Sequence, residues 1–253
     1  MRAAIFARLA LLEARRGGLP WLVLLGIAAA LALGAFLSQL AITEARMVQT
    51  AVVAAVLRAG AVFVVAAQVI TSVLREINDK GLELTLSLPL ARSSQYFGRL
   101  AGFAACSLVL AIIFALPLAL WAEPLALALW TFSLFCELAM VAAAALFFAM
   151  TLGQLVPALA ATAGLYLLAR SVSAMQAIAA GPLAEETFMQ ELARRAVDAV
   201  ALLLPALDRA TRTEWLLYEP PDWRSYALGV GALAVYAVLL AIAGAFDFER
   251  RSA

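Results

Sequence analysis

The feature that most constrains this chain is a set of six apolar runs of twenty or more residues each, with short breaks between most of them. They cover about Pro20–Ala41, Thr50–Leu74, Tyr96–Trp121, Leu125–Leu152, Pro157–Ala180 and Trp223–Phe246. A bilayer core about 30 Å thick needs roughly 20 apolar residues wound as helix. In hydrocarbon, each backbone N–H and C=O must pair within its own segment, so such runs are helical. Glu44 and Arg46 break the first and second runs, and the charged stretch 75–92 breaks the second and third. Glu123-Pro124 forms the next break, and Gly153-Gln154 before Pro157 an uncharged fourth. Charged residues make up 14% of the chain and mean hydropathy is +0.98. Soluble domains carry about 25% charged residues, and a soluble core could not absorb this much apolar surface. The expected fold is an all-α integral membrane protein with six transmembrane helices. Residues 1–253 carry no internal repeat or linker and read as one transmembrane domain.

Basic residues in short loops set orientation. Arg2, Arg8, Arg15, Arg16, Arg75, Lys80, Arg92, Arg99, Arg250 and Arg251 fall on one side; the short loops opposite hold only Arg46. Both termini and the 75–92 stretch are therefore expected to be cytoplasmic. Trp121, Trp130, Trp215, Tyr218, Trp223 and Tyr226 fall near the outer boundary, where an aromatic belt is expected.

Two segments should not span. Residues 1–18 are expected to form an interfacial helix and not a signal peptide, because Arg8, Glu13, Arg15 and Arg16 interrupt any apolar core. GPLAEETFMQELARRAVDAVALLLP should form an extracytoplasmic amphipathic helix between spans five and six. Pro182 and Glu185-Glu186 suit its start, Met189, Leu192, Ala196, Val200 and Leu203 form its stripe, and Pro205 ends it.

Several chemistries are excluded. The chain has no histidine, no GxxxxGK[ST] phosphate loop and no serine set in an activating base motif. Glu137 is the one carboxylate well inside a span, which argues against a paired-carboxylate site. Cys106 and Cys136 lie in apolar runs and read as free thiols. The net charge of +1 implies no nucleic-acid partner. No enzyme is expected; any work must draw on an ion gradient or on another chain.

The stretch LREINDKGLELTLSLPLARSS interrupts this apolar background. Arg75 to Lys80 can form a short helix, with Gly81 as a left-handed terminator. Leu82, Leu84, Leu86 and Leu88 then alternate with Glu83, Thr85 and Ser87, and Pro89 stops regular structure. The result is either a firm docking knob or a solvated connector between two helices.

REINDKGLELTLSLPLARSSQYFGRLAGF resembles the permease subunits of ABC transporters of the ABC-2 type. In that family the second span runs into an acidic-basic segment, then a Glu-x-Leu-Leu-Ser-x-Pro pattern, an Arg, and a Gly-(Lys/Arg) pair opening the third span. The matching positions are Arg75-Glu76, Lys80-Gly81, Glu83, Leu86-Ser87, Pro89-Leu90, Arg92 and Gly98-Arg99. Leu12-Glu13 stands near the family's opening Glu-Leu, in reversed order. LLLPALDRATRTEWLLY resembles its Leu-Pro-Asn-Leu-Asp segment, with Ala206 where Asn is common, and FDFERR resembles its closing motif. The resemblance implies that the stretch is a coupling helix docking into a cytosolic ATPase through Arg75, Glu76, Asp79, Lys80, Gly81, Glu83 and Pro89. It implies two ATPase subunits holding ATP and Mg, no cofactor on this chain, and a second copy of the chain or a homologous permease. It also implies a place in the bacterial inner membrane, export as the direction, and room for a periplasmic accessory protein. In size and outline the chain matches the subset serving nitrous-oxide reductase and copper maturation. The alternatives are a gradient-driven transporter or channel, which should show inverted repeats or several intramembrane charges, and a non-transporting assembly or immunity protein.

Three polar residues lie inside the spans. Arg58 can snorkel outward or pair with Glu137. Glu137, near mid-depth, can be protonated, paired with Arg58 or turned to a polar cavity. Gln68 can be interhelical glue or a pathway residue. Arg170, near the outer end of span five, is expected to snorkel.

Overall fold

The structure is a computed structural model that describes residues 12–13, 18–40, 45–79, 92–179, 188–218 and 222–250. Helices α1 (Leu19–Leu40), α2 (Ala45–Asn78) and α3 (Arg92–Ala115, extended by a 3₁₀ turn over Leu116–Leu120) come first. Helices α4 (Pro124–Leu152), α5 (Leu155–Ala179) and α6 (Phe188–Leu203) follow. The short α7 (Leu207–Ala210), a 3₁₀ turn over Thr213–Leu216 and α8 (Trp223–Arg250) complete the order, with no strand among the described residues. The helices α1, α2, α3 with its extension, α4, α5 and α8 are each long and apolar enough to cross a membrane. The described residues are overwhelmingly helical, and the six long apolar helices make the chain a multi-pass membrane protein.

Local chemistry explains the boundaries. Pro117 cannot donate to the helix ladder, and α3 tightens there into 3₁₀ geometry. Pro124 opens α4, where a missing N–H costs nothing. Gly153, at φ 64°, closes α4 with its N–H on the Ala149 carbonyl at 3.1 Å. That left-handed glycine makes the break that the sequence marks with no charge.

Helix α4 is the axis of the bundle and touches α2, α3, α5 and α8, while α1 packs on α2. Its Ala142–Ala145 run is 0–1% exposed, and small side chains let neighbouring backbones approach closely. Such contacts matter because lipid supplies no hydrophobic force between helices. Tyr96 of α3 lies against Gly244 of α8, where an added Cβ would stand 2.8 Å from the ring's Cζ. The outer surface is apolar: Trp21 is 77% exposed, Val156 74% and Ile178 78%. A surface of this kind is a lipid-facing one.

Two expectations change, and others fall wholly or partly outside the described residues. Arg75 and Glu76 do not start a separate helix; α2 continues unbroken to Asn78, because nothing in Arg75-Glu76-Ile77-Asn78 stops an α-helix. Lys80, Gly81, Glu83 and Pro89 lie outside the described residues. Of the N-terminal helix over 1–18, only Leu12, Glu13 and Gly18 are described; Leu12 and Glu13 are helical. The helix between spans five and six is present over Phe188–Leu203, with 180–187 outside the described residues. Finally, half of the expected aromatic belt is internal. Trp130 is fully buried, and Trp215 and Tyr226 pack on each other with ring centroids 5.2 Å apart.

The stretch 205–218 does not stay on the surface. It folds back among α2, α4, α5 and α8, with Leu207 and Thr211 fully buried and Ala210 3% exposed. Gly229 of α8 permits this, since a Cβ there would stand 2.9 Å from Ala210 Cα.

Candidate functional site

The charged residues inside the spans converge. Glu137 sits at the middle of α4, about 20 Å below Pro124 by helical rise. Its Oε2 lies 3.5 Å from Arg58 Nε of α2, and its Oε1 lies 3.6 Å from Arg170 Nη1 of α5. The Tyr166 hydroxyl, one turn before Arg170, donates to Oε1 at 2.9 Å. Arg58 and Glu137 are 2% and 0% exposed.

The infolded stretch supplies the remaining acceptor. Arg58 Nη1 donates to the Thr211 carbonyl, and Arg170 Nη2 donates to the same oxygen at 3.4 Å. Arg170 Nη1 donates to Thr211 Oγ1 at 2.6 Å, and that hydroxyl donates to Leu207 at 2.8 Å. Thr211 caps the C-terminal end of α7, where an unpaired carbonyl carries partial negative charge. The Arg58 guanidinium also stands 5.3 Å from the centroid of the Trp130 ring. Two cations thus share one carboxylate and one carbonyl, and Arg58 alone has the aromatic face. Each of these acceptors offsets part of the cost of burying charge in the membrane interior.

Of the intramembrane residues, Arg58 and Glu137 are brought together, as one of the sequence alternatives required. Arg170 does not snorkel: its side chain turns inward, because the Thr211 carbonyl and hydroxyl come within reach. Gln68 stands apart, on the wall of a cavity of about 240 Å³ shared with Glu13, Thr71, Ser72 and Arg75. The sequence singles out neither Thr211 nor Tyr166, and it offers Trp130 only as part of an aromatic belt. The depth of Arg170, about 14 Å from Ala179 by helical rise, was a usable signal for that arginine; no signal pointed to Thr211.

A second polar group lies at the opposite end of α2. Arg99 of α3, its side chain 7% exposed, donates Nη2 to Glu76 Oε1. Glu13 Oε2 accepts from Ser72 Oγ at 2.7 Å, and its Oε1 lies 4.0 Å from Arg75. Arg75 is 66% exposed, and Asp79 closes the last turn with its N–H on the Arg75 carbonyl at 2.9 Å. Glu76 therefore faces the protein, whereas Arg75 and Asp79 face outward. Among the described residues, no group of three or more Cys, Asp and Glu side chains is placed to hold a metal ion.

Fold and site together define a helical membrane protein with six helices long and apolar enough to cross a membrane, an internal ion cluster and a charged junction at one end. No model of a known protein family matches the chain, and no curated protein is significantly similar to it.

Proposed function

We propose that the chain is the permease subunit of an ATP-driven transporter of the ABC-2 type in the bacterial inner membrane. Two copies, or one copy with a homologous permease, work with two cytosolic ATPase subunits, and the direction is export. Both termini and the junction between α2 and α3 face the cytoplasm. Helix α6 lies on the far side, along the membrane surface: its Leu192 and Leu203 are 55% and 73% exposed, as suits an apolar stripe resting in lipid.

The observation that carries the reading is the mounting of the α2–α3 junction. Glu76 and Arg99 clamp its two ends together, and Glu13 holds the neighbouring turn through Ser72. A push on residues 79–92 would be delivered to two spans as a unit. Helix α2 is continuous from Glu76 to Arg58, about 27 Å by helical rise, so its movement reaches the ion cluster and the Thr211 stretch. Arg75 and Asp79 remain exposed for a partner, and the charge of such residues sets docking register.

A gradient-driven transporter is the second reading, favoured by three charged side chains meeting at mid-depth. One experiment separates the two. A P-loop ATPase encoded beside this chain should co-purify with it and hydrolyse ATP in the complex. Asp79→Arg should weaken that complex by charge repulsion, and Gly81→Val by removing the glycine that the sequence offers as a left-handed terminator. Normal insertion, normal ATPase retention and normal hydrolysis in both variants would reduce the junction to a connector.

A further inference from the structure

We infer that the chain holds a phospholipid with an ammonium-bearing headgroup in the cavity between the infolded stretch and α8. The cavity is about 620 Å³, the size of a small-ligand site. It lies at the end of the bundle away from Glu76, and its walls are graded in polarity. Asp222, just before α8, and Ser225 in its first turn line the mouth, while Gly229, Ala232 and Leu233 line the wall one to three turns further in. The spacing of these residues places them on one face of the helix. On the opposing wall Arg209 and Arg212 flank Ala210.

Each part matches one part of an amphiphile. The two arginines are carried on a stretch whose Leu207, Ala210 and Thr211 are buried, so their backbone is fixed before any ligand arrives. Their present partners are loose: Arg209 Nη2 reaches Gln176 Oε1 at 3.4 Å, and Arg212 Nη1 lies 3.9 Å from Glu214. Guanidinium groups are strong phosphate binders. Asp222, whose Oδ2 accepts from Ser225 N and Oγ at 3.4 Å, adds one negative charge to the same mouth. A purely anionic headgroup would meet that carboxylate, whereas an ethanolamine headgroup places phosphate on the arginines and ammonium on Asp222. Leu228 both lines the cavity and is 67% exposed, so the wall opens sideways toward the lipid-facing surface. Acyl chains can enter there without leaving hydrocarbon. The trapped lipid would wedge the infolded stretch against α8, a role independent of any transport activity.

The test uses the purified full chain, stripped of lipid in detergent and re-exposed to defined lipids, with bound lipid read by native mass spectrometry. Phosphatidylethanolamine should be retained in preference to phosphatidylglycerol. The Arg209→Gln/Arg212→Gln variant should bind it at least tenfold more weakly, and Asp222→Asn should abolish the preference between the two lipids. Leu228→Trp, at an exposed position that leaves the helix packing intact, should block retention by filling the lateral opening. Three results would overturn the inference: equal retention of both lipids by the parent, unchanged retention in the double-arginine variant, or binding of soluble phosphoethanolamine as tightly as the lipid. ATPase association plays no part in the readout, so its failure and the failure of the permease reading are separate outcomes.

Discussion

Glu137 is held by groups from two other spans, and Thr211 brings a third polypeptide stretch to the same two arginines. Removing the carboxylate would leave Arg58, 2% exposed, facing Arg170 with no acidic partner. Breaking a buried pair from one side costs about 3–5 kcal/mol, because the surviving charge stays desolvated. Glu137→Gln should therefore lower stability by about 3 kcal/mol in unfolding measurements in detergent micelles. Combining Arg58→Met with Glu137→Leu should recover part of that loss, with a coupling energy above about 1 kcal/mol; a value below about 0.5 kcal/mol would mean that the two sites act independently. Arg170→Ala should cost less, since Arg170 is 31% exposed and so less desolvated than Arg58 at 2%. The pairing of Arg58 with Glu137 was legible as one option, because isolated charges inside apolar runs must find each other or a cavity. The inward turn of Arg170 was not legible, because its acceptor, the Thr211 carbonyl, has no side-chain signature.

The spans themselves follow from hydropathy, and their ends from proline, glycine and charge. Their packing depends on pairs that hydropathy does not register. Tyr96 is fully buried against Gly244, with Phe248 6.3 Å away across the ring centroids. Gly244→Val would push a branched side chain into that ring, and overpacking of this kind costs about 1–3 kcal/mol. Thermal unfolding should show the loss, and Tyr96→Ala in the same chain should return part of it by vacating the space. An unchanged melting temperature in Gly244→Val would mean that α3 and α8 do not meet at this point. The end of α2 gives a parallel lesson. Charge density suggested that the span stops before Arg75, but the helix continues because Glu76 finds Arg99 and Ser72 finds Glu13.

For the whole molecule, ten basic residues in short segments on one side against one opposite predict a single orientation. A reporter fused after Ala253 should be cytoplasmic, and one inserted near Thr187 should be outside. Both reporters on one side would overturn the six-span arrangement. The same arrangement places the Glu76–Arg99 clamp and the ion cluster at different depths of one helix, so Glu76→Arg should act through α2 and α3 rather than at a partner's surface. Restoring the pair as Glu76→Arg with Arg99→Glu should recover ATPase association if that clamp is what the junction requires.

The sequence by itself determined that the chain is helical, that six segments are long enough to cross a membrane, and where charge interrupts them. It could do so because hydrophobic length and helical rise are local quantities, readable one segment at a time. Only the tertiary structure decided which helix lies at the centre, that residues 205–218 fold inward, and that Arg58, Glu137, Arg170, Tyr166 and Thr211 share one site. Those outcomes depend on contacts between residues up to 153 positions apart, as between Arg58 and Thr211. They also depend on a backbone carbonyl that every residue type carries alike, and no pattern along the chain distinguishes one carbonyl from the next.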